Sequence, residues 1–276
     1  METSGTTLPV SGAAPEALNE APSEVYFADF NFSEVEVTLE AMMKHGVHFG
    51  HQKSRRNPKM KPFVFTTRKS VDIIDLQRSS EKLAEALEFL RGIRSSGKSI
   101  LFVGTKKQSQ KLVKSLANRF QMPFVADRWL GGTFTNFKII KNRTRYLLDS
   151  EDQMMRGDFK KYTKFEQVKK AEEIEKLEQK LGGIKHMTEL PGAMFVTDVI
   201  SDALAVREAQ QVGVPIVAIA DTNVDPSQID YPIPANDDAV SSIRFILSVV
   251  GKMLAETPVI AAQPMVQPTV KPMHKA

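Results

Sequence analysis

Three histidines, His45, His48 and His51, recur at a spacing of three. On a helix that spacing would give part of a metal-binding face. Gly46 and Gly50 interrupt any such helix, and no carboxylate or cysteine lies near in sequence, so the expectation is no metal site. Histidines beside a basic segment serve instead as hydrogen-bonding groups to backbone or phosphate. Six aspartates, Asp198, Asp202, Asp221, Asp225, Asp237 and Asp238, fall near strand ends or helix starts. An α/β enzyme keeps its acids at such places. The contexts "DTNVDP" and "PANDD" are also turn chemistry, so helix caps and Asx turns are the expected role. No nucleophile elbow, Ser-His-Asp set or metal motif accompanies the acids.

Phosphate chemistry is the next candidate. The turn "VGTKKQSQ" follows an apolar run, as a nucleotide-binding turn does. It has one glycine where the dinucleotide fingerprint has three, and it has no Walker pattern. Lys106 and Lys107 fill the space that a close-lying pyrophosphate needs, yet lysines at a helix start still suit a phosphate. In "RWLGGTFTNF", Arg128 to Phe137, a glycine pair permits a tight turn. Trp129 either closes the core there, or the turn sets its backbone against RNA with Arg128 and Asn136 on phosphate or sugar.

Charge is the strongest signal. The net formal charge of +4 hides a segregated pattern. Residues 1–40 hold eight acids and no Lys or Arg; residues 41–71 hold eight Lys or Arg and no acid. Residues 104–148 hold ten Lys or Arg against the single Asp127. Like charges at this density repel unless a polyanion or counterions neutralise them. Aromatics lie among them (Phe49, Phe63, Phe65, Trp129, Phe134, Phe137, Tyr146), which suits a folded RNA surface. Lys53, Arg55, Arg56, Lys59 and Lys61 form the first phosphate-facing set, with Arg68 and Lys69 just beyond. Lys106, Lys107, Arg128, Asn136, Lys138, Lys141, Arg143 and Arg145 form the second. The competing readings are a Rossmann-like nucleotide-binding enzyme and a free RNA chaperone or regulator.

The elements that must position these residues follow from patterning. With 276 residues and 42% hydrophobic content, the chain can bury a sizeable core. The absence of cysteine excludes disulfides and fits a reducing compartment. The longest apolar run, Val212 to Ala220, is too short for a membrane span, and the N-terminal residues have neither a basic nor an apolar leader region, so the cytoplasm is expected. Short strands are expected at 63–67, 71–75, 99–104, 123–126, 193–199, 215–221 and 230–234. Helices are expected at 39–45, 79–93, 106–120, 135–148, 202–211 and 237–255. Apolar strands alternating with amphipathic helices imply a doubly wound parallel α/β sheet. Residues 150–181, charged with one apolar stripe, read as an inserted helical hairpin or coiled-coil arm. Residues 1–37 read as an acidic, largely disordered arm whose "VYFADFNF" docks. The expected domain spans 38–255, followed by a Pro-rich tail, 256–276. Pro58 and Pro62 exclude an α-helix between Val47 and Phe65 and suggest a semi-rigid loop.

The series "GVHFGHQ", "NPKMKPFVF", "DIIDLQ", "ILFVGTKKQ", "RWLGGTFTNFK", "IEKLEQKLGGIK", "LPGAMFV", "AVREAQQVGVPIVAIADTNVDP" and "IPANDDAVSSIRFIL" resembles, in order, the bacterial family of small-subunit ribosomal protein two. The likeness runs from about Thr38 to Leu254. It implies a flavodoxin-like strand order with a protruding coiled-coil hairpin. It implies a structural component of the small subunit, binding 16S ribosomal RNA near the head-body junction. It further implies that the chain meets neighbouring small-subunit proteins and helps dock ribosomal protein one, with no enzymatic activity, cofactor, metal, membrane or small-molecule substrate. Arg56 stands where the family usually has an aromatic, and Ala235 where it usually has glycine.

Overall fold

The computed structural model describes residues 26–27 and 30–258. The acidic residues 1–25 and most of the Pro-rich tail lie outside them. Among the described residues, eight strands form two sheets. Ile100–Val103 (β4), Phe124–Val125 (β5), Ala193–Val196 (β6), Ile216–Ala220 (β7) and Tyr231–Pro234 (β8) pair in parallel in the order β5-β4-β6-β7-β8. Counted within this sheet alone the order is 2-1-3-4-5, the flavodoxin-like arrangement.

The strands have no polar face because both faces are covered. Ile100, Phe102, Phe195, Val217 and Ile219 point into one core with residues of the helices Leu76–Ser95 (α2), Lys107–Phe120 (α3) and Val240–Glu256 (α7). Leu101, Val103, Met194, Val196 and Ala218 point into the other, with Ala203–Val212 (α6) and the first turns of Phe137–Arg156 (α4). This period-2 division of all-apolar strands is what a doubly wound sheet requires.

The chain before the parallel sheet folds differently from a loop. Thr38 caps the short helix Leu39–Lys44 (α1) through the Ala41 N–H. Phe49–Gln52 (β1), Val64–Arg68 (β2) and Val71–Ile74 (β3) then form a small antiparallel sheet in the order β1-β3-β2. Two 3-10 turns, Lys53–Arg55 and Pro58–Phe63, link β1 to β2, with Pro58 at the first position of the second. The prolines exclude α-helix as expected, but the sequence reading missed β1. Its four residues "FGHQ" are half polar and their strand character comes from pairing with β3.

Helix α4 runs to Arg156, eight residues beyond the expected end at Leu148, because Asp149 faces outward, Ser150 bonds back to the Tyr146 carbonyl of its own helix and Glu151 meets Lys185. It stops at Gly157 (φ 78°). The helix Lys164–Leu181 (α5) follows and packs on α4. A capping box between Thr163 and Glu166 sets its start. Lys185 ties the pair together, bonding Glu151 of α4 at 3.0 Å and Glu178 of α5 at 3.1 Å. The apolar stripe assigned to this hairpin is only partly buried. Phe159 and Leu181 are covered, whereas Phe165 and Val168 are exposed.

Near the N-terminus the aromatic segment docks. Phe27 and Phe32 are buried against α3 and α7, Phe32 meets Phe120, and the Phe27 N–H donates to Ser115.

Candidate nucleic-acid interface

Both basic segments attach at the carboxyl edge of the parallel sheet, where an open α/β fold places its ligands. Thr222, just after β7, anchors the first. Its Oγ1 accepts the His51 N–H (3.0 Å) and its carbonyl accepts the Asn57 N–H (2.8 Å). Lys106 and Lys107 follow β4, and Arg128 to Asn136 follow β5 and lead into α4.

Of the first set, Lys53, Arg55, Lys61, Arg68 and Lys69 are exposed. Arg68 and Lys69 border the β2–β3 turn, in which Lys69 and Ser70 both adopt left-handed backbone angles (φ 46° and 65°). Lys59 is exposed but bonds Asp225 at 2.9 Å and Ser227 at 2.7 Å. Bonds from Ser227 and Lys59 hold the Asp225 carboxyl down to about 2. Arg56 turns partly inward, its Nε 3.5 Å from the fully buried Asp72. That pairing gives the arginine a role that an aromatic could not fill. Of the second set, Lys107, Arg128, Asn136, Lys138, Arg143 and Arg145 are exposed. Lys141 is exposed and donates to the Thr188 carbonyl at 3.0 Å.

Lys106 departs from the phosphate-binding expectation. Its ammonium lies 2.6 Å from Asp238, 3.0 Å from Asp198 and 3.5 Å from Asp237. Burial alone would lower its pKa, but the three carboxylates outweigh burial and raise it. The sequence could not show this, because the acids lie about 90 to 130 residues away and only the crossovers assemble them. Lys106 occupies the crevice at the switch point between β4 and β6, where a nucleotide would lie in an enzyme of this fold. A groove of about 1290 Å³ lies instead between α3 and the hairpin, lined by Lys114, Met154, Val168 and Glu175 among others.

The acids around Lys106 divide by environment. Asp198 accepts the N–H groups of Ile200 and Ser201, both at 2.9 Å, as the turn reading expects. Burial works against its charge, yet the Ser201 bonds and Lys106 keep its pKa low. Burial raises Asp202 to about 6 despite bonds from Thr105, and it caps no helix with its side chain. Burial and the charges of Asp221 and Asp198 push Asp237 to about 7. His51 reaches this cluster from β1, 3.0 Å from Asp221 and 3.3 Å from Asp238, and the Asp221 bond raises its pKa. His51, Asp237 and Asp238 each place a donor atom within 4.8 Å of the others, a spacing that could hold a metal ion. Lys106 already supplies positive charge to two of those carboxylates. His45 stacks on Phe245 instead, and the His48 ring lies tilted against Phe49.

The turn "RWLGGTFTNF" does not set its backbone outward. Glu208 of α6, a residue without a place in the sequence reading, is buried beneath it. One carboxylate oxygen accepts the Gly132 N–H (2.7 Å) and the Trp129 indole N–H (3.2 Å). The other accepts the Phe134 N–H (2.9 Å) and the Thr135 N–H and hydroxyl (3.3 Å each). These bonds outweigh burial and lower the Glu208 pKa. Trp129 and Phe134 pack edge to face in the core. Phe63 and Phe137 are half-buried, so only Phe49, Phe65 and Tyr146 of the seven interleaved aromatics are exposed. Aromatics near a basic segment served core packing here because their transfer from water outweighs any stacking role. No signal in the sequence marks Glu208 apart from an acid inside an otherwise apolar helix face.

The fold and site thus define a flavodoxin-ordered α/β domain with basic appendages on its carboxyl edge and a helical hairpin. The profile of the family described as Ribosomal protein S2 matches residues 42–257, so the chain belongs to the ribosomal protein S2 family, whose members are structural proteins and not enzymes. A protein named small ribosomal subunit protein uS2 from Roseiflexus castenholzii (strain DSM 13941 / HLO8) is 50% identical over 220 residues, covering 80% of this chain and 84% of the relative. Its namesake in Chloroflexus aggregans (strain MD-66 / DSM 9485) is 47% identical over 80% of this chain and 92% of its own. That of Amoebophilus asiaticus (strain 5a2) is 43% identical over 80% and 71%. Among the described residues no helix is long and apolar enough to cross a membrane.

Proposed function

We propose that the chain is a structural component of the small ribosomal subunit that binds 16S ribosomal RNA near the head-body junction and helps dock ribosomal protein one. The observation that carries RNA binding is the run of exposed cations on the carboxyl edge. Lys53, Arg55 and Lys61 stand on the 3-10 turns between β1 and β2, and Arg68 and Lys69 stand at the β2–β3 turn. Lys107, Arg128, Lys138, Arg143 and Arg145 stand on α3, α4 and the loop before α4. The 3-10 turns and β1 hold the first set, so little ordering entropy opposes contact. Each phosphate neutralised releases counterions, so binding falls steeply with salt. Docking of a protein neighbour is supported by Met154, Met155, Phe165 and Val168, apolar side chains left exposed on the hairpin.

The test is sedimentation of a lysate at low and high salt, with the wild type and with Arg55→Glu/Lys61→Glu. The wild type travels with small subunits at low salt and is released as salt rises; the reversed variant, folded, incorporates poorly. A wild type that stays at the top of the gradient at low salt overturns the proposal. For the docking role, Met155→Asp/Val168→Asp subunits should lose ribosomal protein one while keeping this chain; retention of ribosomal protein one refutes it.

A further inference from the structure

We infer that Glu208 is a positioning residue for RNA contact, an internal anion that holds residues 129–135 so that only side chains of that loop reach the polyanion. The inference rests on the RNA-binding reading above. Three consecutive-region amides, those of Gly132, Phe134 and Thr135, converge on one point, as they do in loops that bind phosphate. Here the point is filled by a carboxylate from α6, two strands away along the sheet.

Two consequences follow from the chemistry. First, the amides are closed to RNA, because a phosphate approaching them meets a buried negative charge. Contact at this loop therefore goes through Arg128, Asn136 and Lys138, which are exposed at its two ends. Second, the orientation of those three side chains depends on Glu208 keeping both oxygens as acceptors. Glutamine has the same shape but turns an NH₂ group toward donors that face it, leaving at least two N–H groups without an acceptor. Such a loss is local, since Trp129 and Phe134 remain packed against the core.

The experiment uses the full chain and four proteins: wild type, Glu208→Gln, Arg128→Ala and the double variant. Binding to 16S ribosomal RNA is measured across a salt series, together with native-state hydrogen exchange of the loop amides and urea midpoints. The expected results are fast exchange at Gly132, Phe134 and Thr135 in Glu208→Gln and a salt slope smaller by about one to two phosphate contacts. Arg128→Ala should then weaken binding less in the Glu208→Gln background than in the wild type, a coupling that a general loss of stability does not produce. Equal affinity and slope for Glu208→Gln, or fully additive effects with Arg128→Ala, overturns the inference. Tighter RNA binding by Glu208→Gln also overturns it, because the amides would then be a phosphate site that Glu208 obstructs. If wild-type protein shows no salt-dependent RNA binding, the RNA reading fails instead. Slow loop amides in Glu208→Gln would separately refute the clamp.

Discussion

Replacing Lys106 by methionine separates two roles that one residue type could play. The sequence suggests a phosphate ligand; the structure makes the ammonium an internal counterion for Asp198, Asp237 and Asp238. Methionine keeps most of the aliphatic stem and removes the charge. Breaking a buried ion pair from one side costs about 3–5 kcal/mol. Asp198 and Asp237 are buried, but Asp238 is half exposed and Lys106 is not wholly enclosed, so the lower end applies, about 3 kcal/mol at pH 8. With a urea slope of about 3 kcal/mol/M, the midpoint falls by about 1 M. The loss depends on pH in a definite sense. Asp237 titrates near 7 with the lysine present, and its pKa rises further without it. At pH 6 it therefore takes up a proton and relieves part of the repulsion, reducing the loss by about 1–2 kcal/mol. The assay is urea unfolding at pH 6 and pH 8, beside 16S RNA binding under conditions where the variant is folded. An unchanged midpoint at pH 8 together with weakened RNA binding would refute the argument and return Lys106 to the RNA-facing set.

Other perturbations test other links. A Cβ on Gly251 of α7 would meet the ring of Phe32, so Gly251→Ala should expel the docked N-terminal segment. The expected loss is about 2–3 kcal/mol of stability, with new protease cleavage near residue 30; an unchanged urea midpoint refutes the docking argument. Ser70→Gly should stabilise the β2–β3 turn by about 0.5–1 kcal/mol, because Ser70 holds a left-handed φ of 65° that glycine adopts freely; a lower midpoint counts against that strain. The wild type itself should lose stability between pH 7 and pH 8.5. Asp237 and His51 both hold protons more tightly folded than unfolded, so the native state binds more protons there and stability falls as pH rises. Below pH 7 the burial-lowered His45 and His48 act in the opposite sense, so the test belongs above it; constant or rising stability there would refute the assignment.

What could be read in advance from the residues, and what could not, has a physical boundary. The parallel sheet was legible because each strand is apolar on both faces and each helix repeats its apolar residues at helical spacing; both are local patterns. The strand order came only with the family resemblance, since periodicity says nothing about neighbours. Strand β1 was not legible, because "FGHQ" acquires its partner from Val71 and Ile73. The exposed cations of the basic segments were legible as a charge density, and most of them do stand outward. The exceptions are the two with buried carboxylates as partners: Lys106, which meets Asp198 from one later loop and Asp237 and Asp238 from another, and Arg56, which meets Asp72 on β3. A lone basic residue in a basic run looks the same whether its partner is RNA or a buried aspartate. The distinguishing term is desolvation, and that is set by the crossovers and not by neighbours along the chain. Glu208 is the converse case, an acid whose partners are backbone amides and an indole, which no charge count reveals. Together these residues suggest how the carboxyl edge is organised. Its buried charges are paired internally, which leaves the exposed cations as the groups with charge to offer a polyanion.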